Sequence, residues 1–71
     1  MERKKIRMFE VHAFLTNPHK TIFNGTVNWL PRIGEEISIN FDVFKVKNIR
    51  YVLRNGTTGY TEVHISLEVV N

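Results

Sequence analysis

Cysteine is absent from the 71-residue sequence, which excludes disulfide staples and a thiolate nucleophile. Small secreted domains commonly depend on disulfides, so the expectation is a reducing, cytoplasmic setting. Long hydrophobic runs are missing as well. Nothing approaches the ~20 apolar residues of a membrane span, and no apolar stretch follows the opening Met1-Glu2-Arg3-Lys4-Lys5 as a secretory leader would require. Neither a membrane nor a cleaved leader is expected. Helical periodicity is lacking throughout, because no segment repeats apolar residues at three- and four-residue spacing. The two Asn-x-Thr sequons, at Asn24 and Asn55, are both Asn-Gly pairs and read as backbone signals.

What the sequence does contain is β-forming. Hydrophobic residues make up 42% and charged residues 24%, values of a globular chain. Five Phe, two Tyr, one Trp and many β-branched residues suit a pleated, half-buried surface. A chain this short forms one domain and buries only about 60% of its unfolded surface, so its core must be dense. The formal charge is +3 with a pI near 9.6, but Arg3, Lys4, Lys5 and Arg7 supply four of the positive charges. Residues 1–6 are therefore expected as a basic, solvated arm before a single domain over residues 7–71.

Alternation defines five strands. In the first, about Arg7 to Thr16, Phe9, Val11, Ala13 and Leu15 share one face. Asn17-Pro18-His19-Lys20 is expected as a four-residue turn into a second strand, about Thr21 to Trp29. That turn sets Leu15 opposite Ile22, and polar Asn24 and Thr26 then fall inward unless a bulge at Asn24-Gly25 restores Val27 opposite Val11 and Trp29 opposite Phe9. A connector, Leu30 to Glu36, precedes a short third strand alternating Ile37, Ile39 and Phe41, and Asn40 to Asp42 turn into a fourth, Val43 to Arg54. Asn55-Gly56-Thr57-Thr58-Gly59 reads as a hairpin loop before the fifth strand, Tyr60 to Val70. Setting Tyr51 opposite Val63 and Ile49 opposite Ile65 would bury Lys45 and Lys47. A bulge near Lys47-Asn48 avoids this by pairing Val46 with Leu67 and Phe44 with Val69. The expected fold is all-β, a five-stranded SH3-like barrel, with an open antiparallel meander as the alternative.

The run Leu30-Pro31-x-Ile33-Gly34-Glu35, a short strand, then Phe44-x-Val46-x-x-Ile49 resembles small bacterial and phage-associated SH3-like barrel proteins. The resemblance covers roughly residues 29 to 53 and implies a barrel. It carries no functional residues, since many such proteins have no assigned activity.

Candidate sites follow from what the register leaves outside. Phe14 and Phe23 are expected to face each other on the outer side and, with Pro18 and His19, to form an apolar patch for a protein partner or self-association. Lys45, Lys47, Arg50 and Arg54 project from one strand and, with Arg3, Lys4, Lys5 and Arg7, could follow a nucleic-acid backbone. Glu62 and Glu68 on the neighbouring strand temper that stripe. His12 and His64 are both outward and would approach each other, with Glu10 and Glu62, if the first and last strands were neighbours; no zinc-type spacing supports a metal there. Ser38 and Ser66 lack elbow glycines, and no cleft is foreseen for an acid–base pair. The expectation is a non-enzymatic module without cofactor or metal that binds a protein partner, with nucleic-acid binding as the alternative.

Overall fold

The computed structural model describes residues 8–53 and 60–70. The expected arm, including Arg3, Lys4, Lys5 and Arg7, lies outside them, as do Arg54 and the loop at residues 55–59. The described chain holds five strands and no helix: β1 (Met8–Thr16), β2 (His19–Val27), β3 (Glu36–Ile39), β4 (Asp42–Val52) and β5 (Tyr60–Val69). They form one strongly curled, half-barrel sheet in the order β2-β1-β5-β4-β3. The all-β, five-stranded expectation stands. A simple meander would run in sequence order, and this sheet does not.

The departure lies at the centre, where β1 pairs β5 in parallel from Met8↔Tyr60 to Leu15↔Leu67. A parallel pair needs a crossover, and here the whole β2–β3–β4 run supplies it. Each side of the pair then extends by antiparallel hairpins, leaving β2 and β3 as the two sheet edges.

The core sits inside the curl. Val11 and Ala13 of β1, Phe44 and Val46 of β4, and Val63, Ile65 and Leu67 of β5 are its buried hydrophobic residues. None comes from β2 or β3, whose Ile22, Phe23, Val27, Ile37 and Ile39 pack against the cluster only partly buried. Alternation on the central strands drives this, because odd-numbered residues of β1 and β5 share the inner face.

The β4–β5 hairpin follows the sequence reading. Phe44↔Val69, Val46↔Leu67, Ile49↔Ile65 and Tyr51↔Val63 are paired, and Lys47 is the extra residue of a bulge between Val46 and Asn48. The bulge keeps Lys45 and Lys47 exposed, avoiding the large cost of burying an unpaired ammonium.

The β1–β2 hairpin differs. Its turn is shorter than expected: Thr16 pairs with His19, and the Asn17–Pro18 peptide is cis, as in a type VI turn. His19 and Lys20 therefore join the strand, and the pairs on either side of the bulge move by two residues. Leu15 meets Lys20 instead of Ile22, Val11 meets Gly25 instead of Val27, and Phe9 meets Val27 instead of Trp29, which falls beyond the strand. The bulge lies at Ile22, between the pairs Ala13↔Phe23 and Phe14↔Thr21, not at Asn24-Gly25. Gly25 instead makes room for an aromatic ring. A Cβ there would stand 2.8 Å from Cζ of Phe23, so the ring lies over a glycine that only hydrogen lets it approach.

The connector and third strand also gain detail. Glu35 N–H donates to Arg32 C=O (3.0 Å) and Arg32 N–H to Glu35 Oε1 (2.7 Å), while Gly34 sits at φ 95° where a side chain would be strained. Gly34 N–H to Val46 C=O and Val46 N–H to Glu35 C=O, both 2.8 Å, tie this turn to β4. The strand then ends at Ile39, and Phe41 does not continue its inward alternation. Asn40 and Phe41, at φ 51° and 76°, form a two-residue turn with both residues left-handed, and Phe41 is fully exposed.

Candidate functional site

Two places on the described residues gather side chains beyond the needs of the sheet. The first is the open side of the curl. Because β2 and β3 do not pair, the half-barrel leaves an apolar slot of about 320 Å³ between them. Val11, Ala13 and Ile65 form its floor, Phe23, Val27 and Trp29 one wall, and Ile37 and Ile39 the other, with buried Pro31 also lining it. Trp29 is 56% exposed at the rim, and the hairpin tip beside Asn40 carries Phe41, 100% exposed.

The second is the outer face of the central pair. Parallel pairing sets Glu10 beside Glu62 and His12 beside His64. The histidine rings stand edge to face with centroids 5.3 Å apart and an interplanar angle of 84°. His64 Nε2 lies 2.8 Å from Glu62 Oε2, and His12 Nε2 lies 3.5 Å from Glu10 Oε2. The other nitrogen of His12, Nδ1, lies 2.9 Å from Asn24 Oδ1 on β2. One ligating atom each from His12, Glu62 and His64 fall within 4.8 Å of one another. All three residues are half-buried, and Arg50 of β4 stands opposite His64.

The sequence holds a signal for this cluster that residue-by-residue alternation does not use. Glu10-Val11-His12-x-x-Leu15 and Glu62-Val63-His64-x-x-Leu67 are the same pattern, and the parallel ladder lays one on the other in register.

The expected Phe14–Phe23 patch is not formed. The bulge at Ile22 turns Phe23 to the core side, opposite Ala13, while Phe14 stays outward opposite Thr21. Phe14 keeps company with His19, ring centroids 5.3 Å apart, next to exposed Pro18. Lys45, Lys47 and Arg50 are exposed on β4 as expected, with Lys45 directly opposite Glu68. Opposite charges across a ladder are ordinary sheet surface, contributing at most about 1 kcal/mol. No helix among the described residues is long and apolar enough to cross a membrane.

No family model, curated protein or solved structure matches the chain.

Proposed function

We propose that the chain is a small, non-enzymatic binding module that takes an extended protein segment along the slot between β2 and β3. The observation that carries this reading is the slot itself: an apolar hollow flanked on both sides by sheet edges. A segment laid there gains backbone hydrogen bonds from an edge strand and seats alternate side chains against Phe23, Trp29, Ile37 and Ile39. Phe41 supports the same reading. A phenylalanine at φ 76° with its whole side chain in water does nothing for its hairpin that glycine would not do better. As an exposed aromatic at the end of the slot, it suits a partner contact. The absence of cysteine fits a cytoplasmic module, and the resemblance to phage-associated SH3-like barrels fits an accessory role in a larger assembly.

Peptides selected from a random library on the folded chain provide the test. Their binding is expected to shift the emission of Trp29, the single tryptophan, to the blue and to slow amide exchange in β2 and β3. Trp29→Ala and Phe41→Ser should each weaken binding at least about tenfold, the loss of a well-placed aromatic anchor, with the far-UV spectrum unchanged. Selected peptides that leave Trp29 emission and both variants' affinities unaltered would rule the slot out as the binding site. Sedimentation equilibrium separates a second copy of the chain from another protein as the source of the segment. Nucleic acid bound at low salt, with affinity falling steeply as salt rises and lost in Lys45→Ala/Lys47→Ala/Arg50→Ala, would replace this reading with binding along β4.

A further inference from the structure

The outer face of the β1–β5 pair carries more than a solvated sheet needs. Adjacent strands run ~4.8 Å apart, and like charges set directly opposite each other destabilise a sheet. Here the ladder sets carboxylate beside carboxylate at Glu10/Glu62 and imidazole beside imidazole at His12/His64. Protonating both histidines relieves the carboxylates but brings two imidazolium rings within 5.3 Å. One cation held between the strands would be shared by His12, Glu62 and His64, whose ligating atoms the ladder gathers.

We propose that His12, His64 and Glu62 form a binding site for a divalent transition-metal ion of the zinc type, with Glu10 or water completing the coordination. Two imidazoles and a carboxylate are a recurring donor set for such ions, whereas calcium and magnesium prefer oxygen throughout. The ligating atoms already lie within 4.8 Å of one another. Tetrahedral zinc sets its ligands about 3.4 Å apart, so the widest pair closes by up to about 1.4 Å and the 2.8 Å pair of His64 and Glu62 opens slightly, changes that half-buried side chains reach by small torsional adjustments. The cation takes the place of the proton between His64 Nε2 and Glu62 Oε2.

The neighbour on β2 gives the site an orienting partner. With Asn24 Oδ1 accepting from His12 Nδ1 at 2.9 Å, neutral His12 carries its proton on Nδ1 and turns the lone pair of Nε2 toward the carboxylates. Metal-bound histidines are commonly fixed in this way by a second hydrogen bond. Arg50, opposite His64, is the one cation facing the cluster from β4 among the described residues, and its charge lowers the affinity. Binding must also weaken in acid, because a protonated imidazole has no lone pair left for the metal.

The experiment is a calorimetric titration of Zn²⁺ into the whole chain at pH 7.5, repeated with Mg²⁺, and followed by the imidazole resonances of the three histidines. The expected result is one Zn²⁺ per chain at micromolar affinity or tighter, no heat with Mg²⁺, and shifts confined to His12 and His64. His12→Asn and His64→Asn should each weaken binding at least about 100-fold and Asn24→Ala about tenfold. His19→Asn should leave it unchanged, since His19 stands apart beside Phe14. Absence of binding at millimolar Zn²⁺ overturns the site. So does Zn²⁺ that shifts His19 alone, or an affinity that survives in the double histidine variant. Should a variant fail to fold, the wild-type resonances decide alone.

Discussion

The β4–β5 and β1–β2 hairpins are both antiparallel and both bulged, yet they hold their registers by different means. In β4–β5, apolar residues enter the core from both strands, so a slip would put Lys45 or Lys47 inside. In β1–β2 only β1 contributes buried residues, and β2 is a sheet edge with its apolar side chains half-covered. Its register rests on a tight turn at Asn17-Pro18, on the extra Ile22, and on the fit of the Phe23 ring over Gly25. The difference teaches how this small sheet divides its labour. Three strands carry the core, and the two edges keep apolar surface facing an open slot.

The largest effects should separate centre from edge. Ile65→Ala or Leu67→Ala, each only 1% exposed, should cost about 2–5 kcal/mol in urea unfolding. Ile37→Ala on the β3 edge should cost about 1–2 kcal/mol, scaled to its partial burial. Equal losses would erase the distinction between core and edge.

Two glycines sharpen the comparison further. Gly34→Ala should cost about 1–2 kcal/mol through its backbone alone, since nothing lies near its missing Cβ. Gly25→Ala should cost about 1 kcal/mol by pushing the Phe23 ring outward. A double-mutant cycle with Phe23→Leu tells the two causes apart: the Gly25 penalty shrinks in that background, and the Gly34 penalty does not. Phe41→Gly should raise stability by roughly 0.5–1 kcal/mol, because a left-handed turn position prefers glycine. A destabilised Phe41→Gly would mean that the ring packs on something. The smallest effect belongs to the surface, where Lys45→Ala opposite Glu68 should change stability by less than about 0.5 kcal/mol at moderate salt.

Legibility in the sequence follows the same division. The β4–β5 register can be read because only one bulge position keeps both lysines out of a core supplied by Phe44, Val46, Leu67 and Ile65. The β1–β2 register cannot. Mixed polarity in Asn24, Gly25 and Thr26 is tolerated on an edge strand, so alternation sets no penalty there, and turn length decides. The partners of Leu15, Val11 and Phe9 each differ from expectation by two residues, and the relocated bulge takes Phe23 off the outer surface. Phe41 escapes the alternation rule because a bulky residue at φ 76° breaks the usual preference for glycine. The neighbourhood of β1 and β5 lies between residues far apart in the chain, which hairpin logic does not address. Only the repeated Glu-Val-His-x-x-Leu points to it.

That parallel pair governs both candidate sites, since it places the histidine–glutamate cluster and leaves β2 and β3 as open edges. Backbone nuclear Overhauser contacts across β1 and β5 test it most directly. The predicted pattern is parallel, with Val11 beside Val63 and His12 beside His64. Antiparallel contacts between these strands, or β1 found against β3 or β4, would contradict it.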